Sequence, residues 1–262
     1  MAATLALTGA RRSPVLAARL LAAALLLAAW QGLAVSGLLF RDVVPGLDLI
    51  ALALARTLGS AAFWTNLGVT AGEFVLAVCL GGSLGILCGL ALGASRFLGR
   101  AYEHWVYWLA PTPKIIFFPV LLMLFGAGPE SKVAMGAISA FFPVAISVAA
   151  GVRGVDSVLV RVGRSCRASA LQMALKIYLP AVRAAVLNGL RLGFGVAAIG
   201  VLLAETKLSK AGIGFLLMDA YRLFDMPLMY ALLILVVLFI TGLNMALAQL
   251  NNRNTGQNIG RK

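Results

Sequence analysis

Three ionisable side chains lie in long apolar stretches, and they are the first residues to which chemistry can be assigned. Glu73, Lys114 and Arg191 fall inside, or at the edge of, stretches that otherwise carry no charge. Ionisable groups inside a membrane are costly and typically line a pathway for ions or solutes. A carboxylate could carry a coupled ion, and the two cations could attract an anion. The alternative is extension of each side chain to the membrane interface; for Arg191 we favour the interior.

Prolines mark a second candidate segment. Pro111, Pro113 and Pro119 remove backbone hydrogen-bond donors from one apolar stretch. Such breaks are tolerated in a membrane where the backbone is buried in protein or lines a cavity. We therefore add Pro119 to the candidate pathway residues, together with Asn188 and Glu205.

The sequence predicts no enzyme activity and no bound cofactor or metal. No lysine follows a glycine, so the GK[ST] phosphate-binding loop of ATPases is absent. The single histidine, His104, excludes a metal site built on paired histidines. Cys79 and Cys88 lie in one predicted helix, roughly 13 Å apart along its axis, which is too far for a disulfide.

The amino-acid composition indicates that these residues lie on membrane-spanning helices. Of the 262 residues, 61% are hydrophobic and only 12% are charged, against about 45–50% and 25% in soluble domains. These values exclude a soluble enzyme, a disordered chain and a nucleic-acid-binding domain. The net charge of +13 is therefore read as a guide to membrane topology.

Six apolar stretches are each long enough to cross a membrane, for which about 20 residues are needed. We predict an all-α integral membrane protein with one six-span domain over residues 15–250, a cytoplasmic N-terminus over 1–14 and a cytoplasmic tail over 251–262. The stretch after Arg11 and Arg12 could be a cleaved signal peptide, but its length favours a retained anchor. The spans are predicted at 20–40, 74–95, 104–129, 133–152, 184–204 and 226–252.

The basic residues are concentrated on the side of the membrane that would hold both termini. Lys and Arg are enriched in cytoplasmic loops of membrane proteins, so we expect both termini to be cytoplasmic. The densest basic segment is 153–182, between the fourth and fifth spans. It could satisfy this charge rule alone, contact anionic lipid, or bind a cytoplasmic partner.

Small residues recur every fourth position in two spans. Such spacing allows close approach of helix backbones in a membrane, so we expect the second and fifth spans to lie near the centre of the bundle. The glycines concerned are Gly81, Gly85, Gly89 and Gly93 in the second span, and Gly189 and Gly193 in the fifth.

The segment from Arg161 to Pro180 resembles the EAA loop of ABC importer permeases, ending in the same Leu179-Pro180 pair. Residues 65–250 resemble, more specifically, the permeases of the nitrate, sulfonate and taurine type. The similar motifs are Ala110-Pro-Thr-Pro-Lys-Ile-Ile-Phe-Phe-Pro119, Leu124-Phe-Gly126, Phe141-Phe-Pro143, Gly151-Val-Arg-Gly-Val-Asp156, Gly189-Leu-Arg191, Ala204-Glu205 and Ala211-Gly-Ile-Gly-Phe-Leu-Leu-Met-Asp-Ala220.

The resemblance implies a permease in the cytoplasmic (inner) membrane of a prokaryote, paired with a second permease copy and surrounded by lipid. A homodimer is favoured, and a heterodimer is the alternative. The EAA loop would be a coupling helix on a separate cytoplasmic ATPase dimer, which would use ATP and Mg²⁺, and an extracytoplasmic solute-binding protein would deliver the cargo. The expected coupling residues are Arg161, Gly163, Arg164, Arg167, Ala168, Ser169, Leu179 and Pro180.

The sequence departs from the family pattern at one three-residue run and at two single residues. Arg161-Val-Gly163 replaces Glu-Ala-Ala, and Glu73 replaces a residue that is often basic. Arg167 replaces a glycine, which would permit a positive-φ turn that arginine adopts poorly. These differences leave open whether the chain couples to its ATPase in the usual way.

The resulting hypothesis is an importer permease for a small anion or heterocycle: a sulfonate, taurine, nitrate, bicarbonate, an aromatic carboxylate or a vitamin precursor. The main alternative is an ion-coupled secondary transporter or channel, with Glu73 as the coupling carboxylate. That class usually has internal repeats, and none is evident. A membrane scaffold without transport activity is a third possibility.

Overall fold

The computed structural model describes residues 12–36 and 43–259, and the side chains of 16–36 and 43–245. The predicted N-terminal segment 1–14 lies largely outside the described residues, and the backbone of the predicted tail 251–262 is described as far as residue 259. The described residues form twelve α-helices and no strand. They are α1 (Arg12–Ser36), α2 (Leu47–Gly59), α3 (Ala61–Ala94), α4 (Arg96–Leu109), α5 (Phe118–Phe125), α6 (Pro129–Arg153), α7 (Ser157–Ser165), α8 (Ala170–Met173), α9 (Leu179–Ala181), α10 (Arg183–Lys207), α11 (Ile213–Arg222) and α12 (Met226–Ile259).

Within the described residues, five helices are long and apolar enough to cross a membrane, namely α1, α3, α6, α10 and α12. A sixth candidate is a bent pair, in which α4 and the segment Lys114–Phe125 meet at 94°. The third span was predicted over 104–129 with its backbone hydrogen bonds broken at the prolines; in the structure this break is a bend between two helices, and the bent pair begins at Arg96. The bend falls at Pro111 and Pro113, because proline cannot donate a helical hydrogen bond and disfavours the α conformation in the residue before it.

The second predicted span was also placed too late. It was expected at 74–95, but α3 begins at Ala61. The sequence boundary was set at Glu73, on the assumption that a charge ends an apolar span. In the structure Glu73 lies inside α3 and is only 5% exposed, so the helix continues through it.

The centre of the bundle is α3, α6 and α10, with α6 between the other two. The glycine row of α3 faces α6: a Cβ on Gly89 would lie 2.7 Å from the Val148 Cβ. Gly81, Gly85 and Gly93 meet α6 in the same way, and Gly189 and Gly193 of α10 meet it from the other side. The absence of side chains at these positions lets the three backbones approach closely.

The order of these contacts fixes the relative directions of the helices. Gly81 faces Ala137 and Gly93 faces Val152, so α3 and α6 run parallel. Gly189 faces Ser147 while Gly200 faces Met135, so α10 runs antiparallel to both. The chain must therefore return along the bundle between residues 94 and 129. We call the end that holds residues 94–104 and 153–183 the loop end, and the opposite end the far end.

Helix α1 contacts the rest of the chain through its last turns. The Trp30 indole Nε1–H donates to the Pro45 carbonyl over 3.1 Å, and the Leu47 N–H donates to Gln31 Oε1 over 2.9 Å. The Trp30 ring also packs edge-on against Tyr230 of α12. Most of the remaining described part of α1 is exposed in the single chain, as expected for a helix surrounded by lipid or by another subunit.

Candidate functional site

Four polar side chains are buried together at the far end of the three central helices. Thr70 and Glu73 lie on α3, Lys132 lies in the first turn of α6, and Glu205 lies near the end of α10. Each of the four side chains is at most 5% exposed. We call these four residues the far-end cluster. Two of them, Glu73 and Glu205, were predicted as candidate pathway residues from separate parts of the sequence.

Glu205 is held by three elements. Its Oε1 accepts a 2.7 Å hydrogen bond from the Thr70 hydroxyl, and its Oε2 accepts one of 2.7 Å from the Gly214 N–H. The Thr70 Oγ1 in turn accepts from the Ile213 N–H at 2.8 Å. A carboxylate at a helix N-terminus satisfies unpaired amides and interacts favourably with the helix dipole. Glu205 therefore joins α10, α3 and the start of α11.

The turn before α11 fits closely over this carboxyl group. Gly212 has φ of 106° and donates its N–H to Asn66 Oδ1 over 2.7 Å. A Cβ at Gly212 would run into the Glu205 carboxyl group, and one at Gly214 would lie 2.6 Å from the Glu205 Cβ. The two glycines thus meet a backbone requirement and a packing requirement set by Glu205.

The carboxyl group of Glu73 has fewer hydrogen-bond partners than that of Glu205. Its carboxyl group lies against that of Glu205, and its Oε2 is the one buried side-chain oxygen or nitrogen without a hydrogen-bond partner among the described side chains. Lys132 interacts electrostatically with both carboxyl groups, but its Nζ donates to the carbonyls of Ala127 at 2.5 Å and Gly128 at 2.9 Å. The cluster therefore contains a buried oxygen that the surrounding protein leaves unpaired.

The sequence did not indicate Thr70, Asn66 or Lys132 as site residues. Lys132 falls between the predicted third and fourth spans, at 104–129 and 133–152, whereas it is 2% exposed and lies in the first turn of α6. A usable signal was present for Thr70, which precedes Glu73 by three positions and therefore shares its helix face. No comparable signal exists for Asn66, which acts through the distant Gly212.

The other pathway candidates lie elsewhere. The Lys114 ammonium group donates to the carbonyls of Leu109 and Ala110 and lies 4.8 Å from the centroid of the Phe142 ring. It thus satisfies the C-terminal carbonyls of α4 at the bend, a favourable place for a cation. Pro119 lies in the first turn of α5, where the missing donor costs no hydrogen bond, and it does not cause the break.

Arg191 and Asn188 are exposed on the surface of the single chain. The preference for an interior position of Arg191 concerns the assembled pathway and stays a prediction. Arg191 borders a cavity of about 250 Å³ that is also lined by Phe74 and Phe194. Neither residue joins the far-end cluster.

The segment between α6 and α10 forms a set of short helices at the loop end. Helix α7 is capped by Asp156, whose Oδ1 accepts from the Val158 N–H at 2.8 Å. The helix ends at Ser165, and the turn that follows contains Arg167, whose φ is 51°. The N–H of Ala168 donates to the Gly163 carbonyl at 3.0 Å, which completes a Schellman turn. The positive φ that the family glycine would favour is thus present, but an arginine adopts it.

After this turn the chain re-enters a helix through a capping box. The Ser169 hydroxyl accepts from the Gln172 N–H, and the Gln172 side chain accepts from the Ser169 N–H. A π-helical turn over Ala174–Tyr178 follows, immediately before Leu179-Pro180. Tyr178 is buried against α6, whereas the apolar side chains of Val158, Val162, Leu171 and Leu175 are 49–68% exposed.

One run of α3 has the letters of a catalytic motif without its structure. Gly81-Gly82-Ser83-Leu84-Gly85 matches the GxSxG of serine hydrolases, which place the serine on a strained turn between a strand and a helix. Ser83 instead lies in the middle of a continuous helix and donates to the Leu80 carbonyl. The described residues also contain no group of three His, Cys, Asp or Glu that could hold a metal ion.

Comparison of the sequence with known proteins shows to which family the chain belongs. A sequence profile described as "Binding-protein-dependent transport system inner membrane component" matches residues 81–255. The chain belongs to this family. The resemblance to ABC importer permeases is confirmed, and the matched region contains the loop-end helices, Lys132 and Glu205.

Individual members of the family show the same relationship. A putative aliphatic sulfonates transport permease protein of Bacillus subtilis is 31% identical over 77% of this chain and 73% of its own length. A taurine transport system permease protein of Escherichia coli is 28% identical over 79% and 75%. A nitrate import permease protein of Synechococcus elongatus is 29% identical over 75% and 73%. The chain is thus an ABC transporter permease, an inner membrane component with several apolar helices.

Proposed function

We propose that this permease imports a small anion of the sulfonate, taurine or nitrate class. The observation that carries the proposal is the similarity to permeases named for aliphatic sulfonates, taurine and nitrate over about three quarters of each chain. Bicarbonate, an aromatic carboxylate or a heterocyclic vitamin precursor remain within the same cargo class by size. Lys114 and Arg191 supply positive charge that suits an anion.

The proposed topology has six spans, with both termini in the cytoplasm. The parallel directions of α3 and α6 support it, because the bent segment Arg96–Phe125 then has to provide the return crossing. The excess of Lys and Arg at the loop end supports a cytoplasmic position for that end. The far-end cluster would then lie towards the outer surface, on the side where a solute-binding protein delivers the cargo.

The loop-end helices are the proposed contact with the cytoplasmic ATPase dimer. Arg167 and Ser169 are exposed on either side of the half-buried Ala168, and Leu171 and Leu175 next to them present apolar side chains to the surroundings. Apolar side chains flanked by arginine are typical of the centre of a protein interface. Tyr178 and Met173 join the loop to α6 within the core, so movement of the loop would be passed to the central helices.

The proposed mechanism places ATP and Mg²⁺ on the partner subunits. Closure of the ATPase dimer moves the two loops of a permease dimer together, and the central helices switch the open side of the pathway. A homodimer is favoured by the usual symmetry of such assemblies, with pairing to a different permease as the alternative. This chain contributes the pathway and the coupling surface.

The decisive experiment is uptake into vesicles containing the permease, with and without its ATPase. Labelled taurine, an alkyl sulfonate or nitrate, supplied with the binding protein, should accumulate when ATP and the ATPase are both present. Accumulation driven by an ion gradient without the ATPase would instead establish the secondary transporter, with Glu73 as its coupling group. Failure of any ATPase or binding protein to co-purify would favour the scaffold hypothesis.

A further inference from the structure

A cavity of about 950 Å³ opens at the loop end, bounded by the end of α3, by α4, by the end of α6 and by α7. Arg96 and Arg100 of α4 line one side, and Arg161 and Arg164 of α7 line another. None of these four guanidinium groups has a hydrogen-bond or ion-pair partner among the described residues. The cavity is therefore lined by four arginines whose positive charges no described acidic side chain pairs with.

The acidic groups nearby do not neutralise these arginines. Glu103 also lines the cavity, but its carboxylate binds Arg153 at 2.6 Å. Asp156 caps α7 by accepting from the Val158 N–H. Helix α4 begins at this cavity, with Ser95 as its N-cap, so the positive end of a 14-residue helix dipole adds to the field. The local potential is therefore strongly positive.

The surroundings of the cavity favour a ligand that is also apolar. Leu92, Val152, Val155 and Val160 line it alongside the arginines. Helix α4 has no buried residue, and Phe97, Tyr102, Trp105 and Trp108 are 54–75% exposed on it. Aromatic side chains of this kind are enriched where a membrane meets water. The arginines of α4 thus lie on a helix suited to the headgroup level of the bilayer.

We propose that this cavity binds the phosphate-bearing headgroup of an anionic phospholipid. Arginine forms paired, charge-assisted hydrogen bonds to phosphate oxygens, and basic pockets near the cytoplasmic surface suit anionic headgroups. The acyl chains would lie against the apolar walls beside α4. A lipid at this position joins α4 to α7, so the lipid composition of the membrane bears directly on the position of the coupling loop.

This site divides the predicted coupling residues into two groups. Arg161 and Arg164 face the cavity and bind lipid, whereas Arg167, Ala168 and Ser169 remain for the ATPase. The proposal does not depend on the identity of the cargo. It does depend on the loop end lying at a membrane surface.

The test is native mass spectrometry of the intact transporter, the permease with its ATPase, released from nanodiscs of phosphatidylglycerol or of phosphatidylcholine. We expect the wild type to retain phosphatidylglycerol and not phosphatidylcholine. The double variant Arg96→Gln/Arg100→Gln should retain at least about tenfold less phosphatidylglycerol, since two of the four arginines that can form charge-assisted hydrogen bonds to the phosphate are removed. The variant Arg96→Lys/Arg100→Lys keeps the charges and should recover most of the retention.

A matched control removes two charges at the far end, with Lys207→Gln/Lys210→Gln, and should retain lipid as the wild type does. Equal retention by the Arg96→Gln/Arg100→Gln variant and this control would overturn the proposal. Displacement of phosphatidylglycerol by millimolar inorganic phosphate would also overturn it, since the ligand would then be a free anion. ATPase co-purification is scored in the same samples; its retention with loss of lipid shows that the two surfaces are separate.

Discussion

The Thr70 hydroxyl donates a 2.7 Å hydrogen bond to the Glu205 carboxylate, across 135 positions of sequence and between two central helices. The same hydroxyl oxygen accepts from the Ile213 N–H, at the start of α11. One small side chain therefore fixes the spacing of α3, α10 and α11. Because all these groups are buried, each lost bond leaves a partner without a replacement in water.

Glu205→Gln should weaken the fold and reduce transport. The amide that replaces one carboxylate oxygen cannot accept from both the Thr70 hydroxyl and the Gly214 N–H, so one donor is left buried and unpaired. We expect a loss of about 1–3 kcal/mol in the free energy of unfolding, measured by thermal denaturation in detergent. Glu130→Gln is the matched control, since Glu130 is an exposed carboxylate at the same end; equal effects would contradict this account.

Glu73→Gln should have the opposite effect on stability. It removes one of two adjacent buried carboxyl groups, and the new amide N–H can donate to Glu205. The unpaired Oε2 of Glu73 is the group whose burial is relieved, so we expect a gain of about 1 kcal/mol in the free energy of unfolding.

Transport by the Glu73→Gln variant separates the two functional hypotheses. ATP-driven uptake should persist, because in the importer Glu73 carries no coupled ion. Complete loss of uptake in a variant that is at least as stable as the wild type would support the coupling carboxylate instead.

The close approach of α3 and α6 gives a pair of glycine predictions. Gly89→Ala places a Cβ 2.7 Å from both the Val148 Cβ and the Ala145 carbonyl, and should cost about 1–3 kcal/mol because the helices must separate. Gly72→Ala in the same helix meets nothing within 4 Å and should stabilise by about 1 kcal/mol through helix propensity. The unfolding temperatures of the two variants should therefore move in opposite directions. An increase in both would indicate that the row is not an interface.

The sequence predicted the central helices because the glycine spacing and the apolar stretches are local patterns. Those patterns predicted α3 and α10 near the centre of the bundle, but not the position of α6 between them. Glu73 led to a wrong helix boundary, because a charge was treated as the end of a span. Its burial depends on Glu205 and Lys132, which come from other helices, so no local pattern could show it.

The candidate site was predicted only in part for the same reason. Glu73 and Glu205 were chosen separately, but their contact is a tertiary fact. Lys132 fell outside the predicted spans because, as at Glu73, a charge was treated as the end of a span. The cavity that is lined by Arg161 and Arg164 but not by Arg167 is also lined by α4, which is distant in sequence, so no local pattern could separate these arginines.

Arg167→Gly tests the turn at the end of α7. A non-glycine residue with φ of 51° is strained, by roughly 1–2 kcal/mol relative to glycine, so the substitution should stabilise the loop by about 1 kcal/mol. Ser165→Gly, two positions earlier in the last helical turn, is the matched control and should destabilise by about 0.5 kcal/mol. Hydrogen exchange of the Ala168 N–H, which binds the Gly163 carbonyl, reports the local effect. Faster exchange in Arg167→Gly would show that the arginine side chain itself holds the turn.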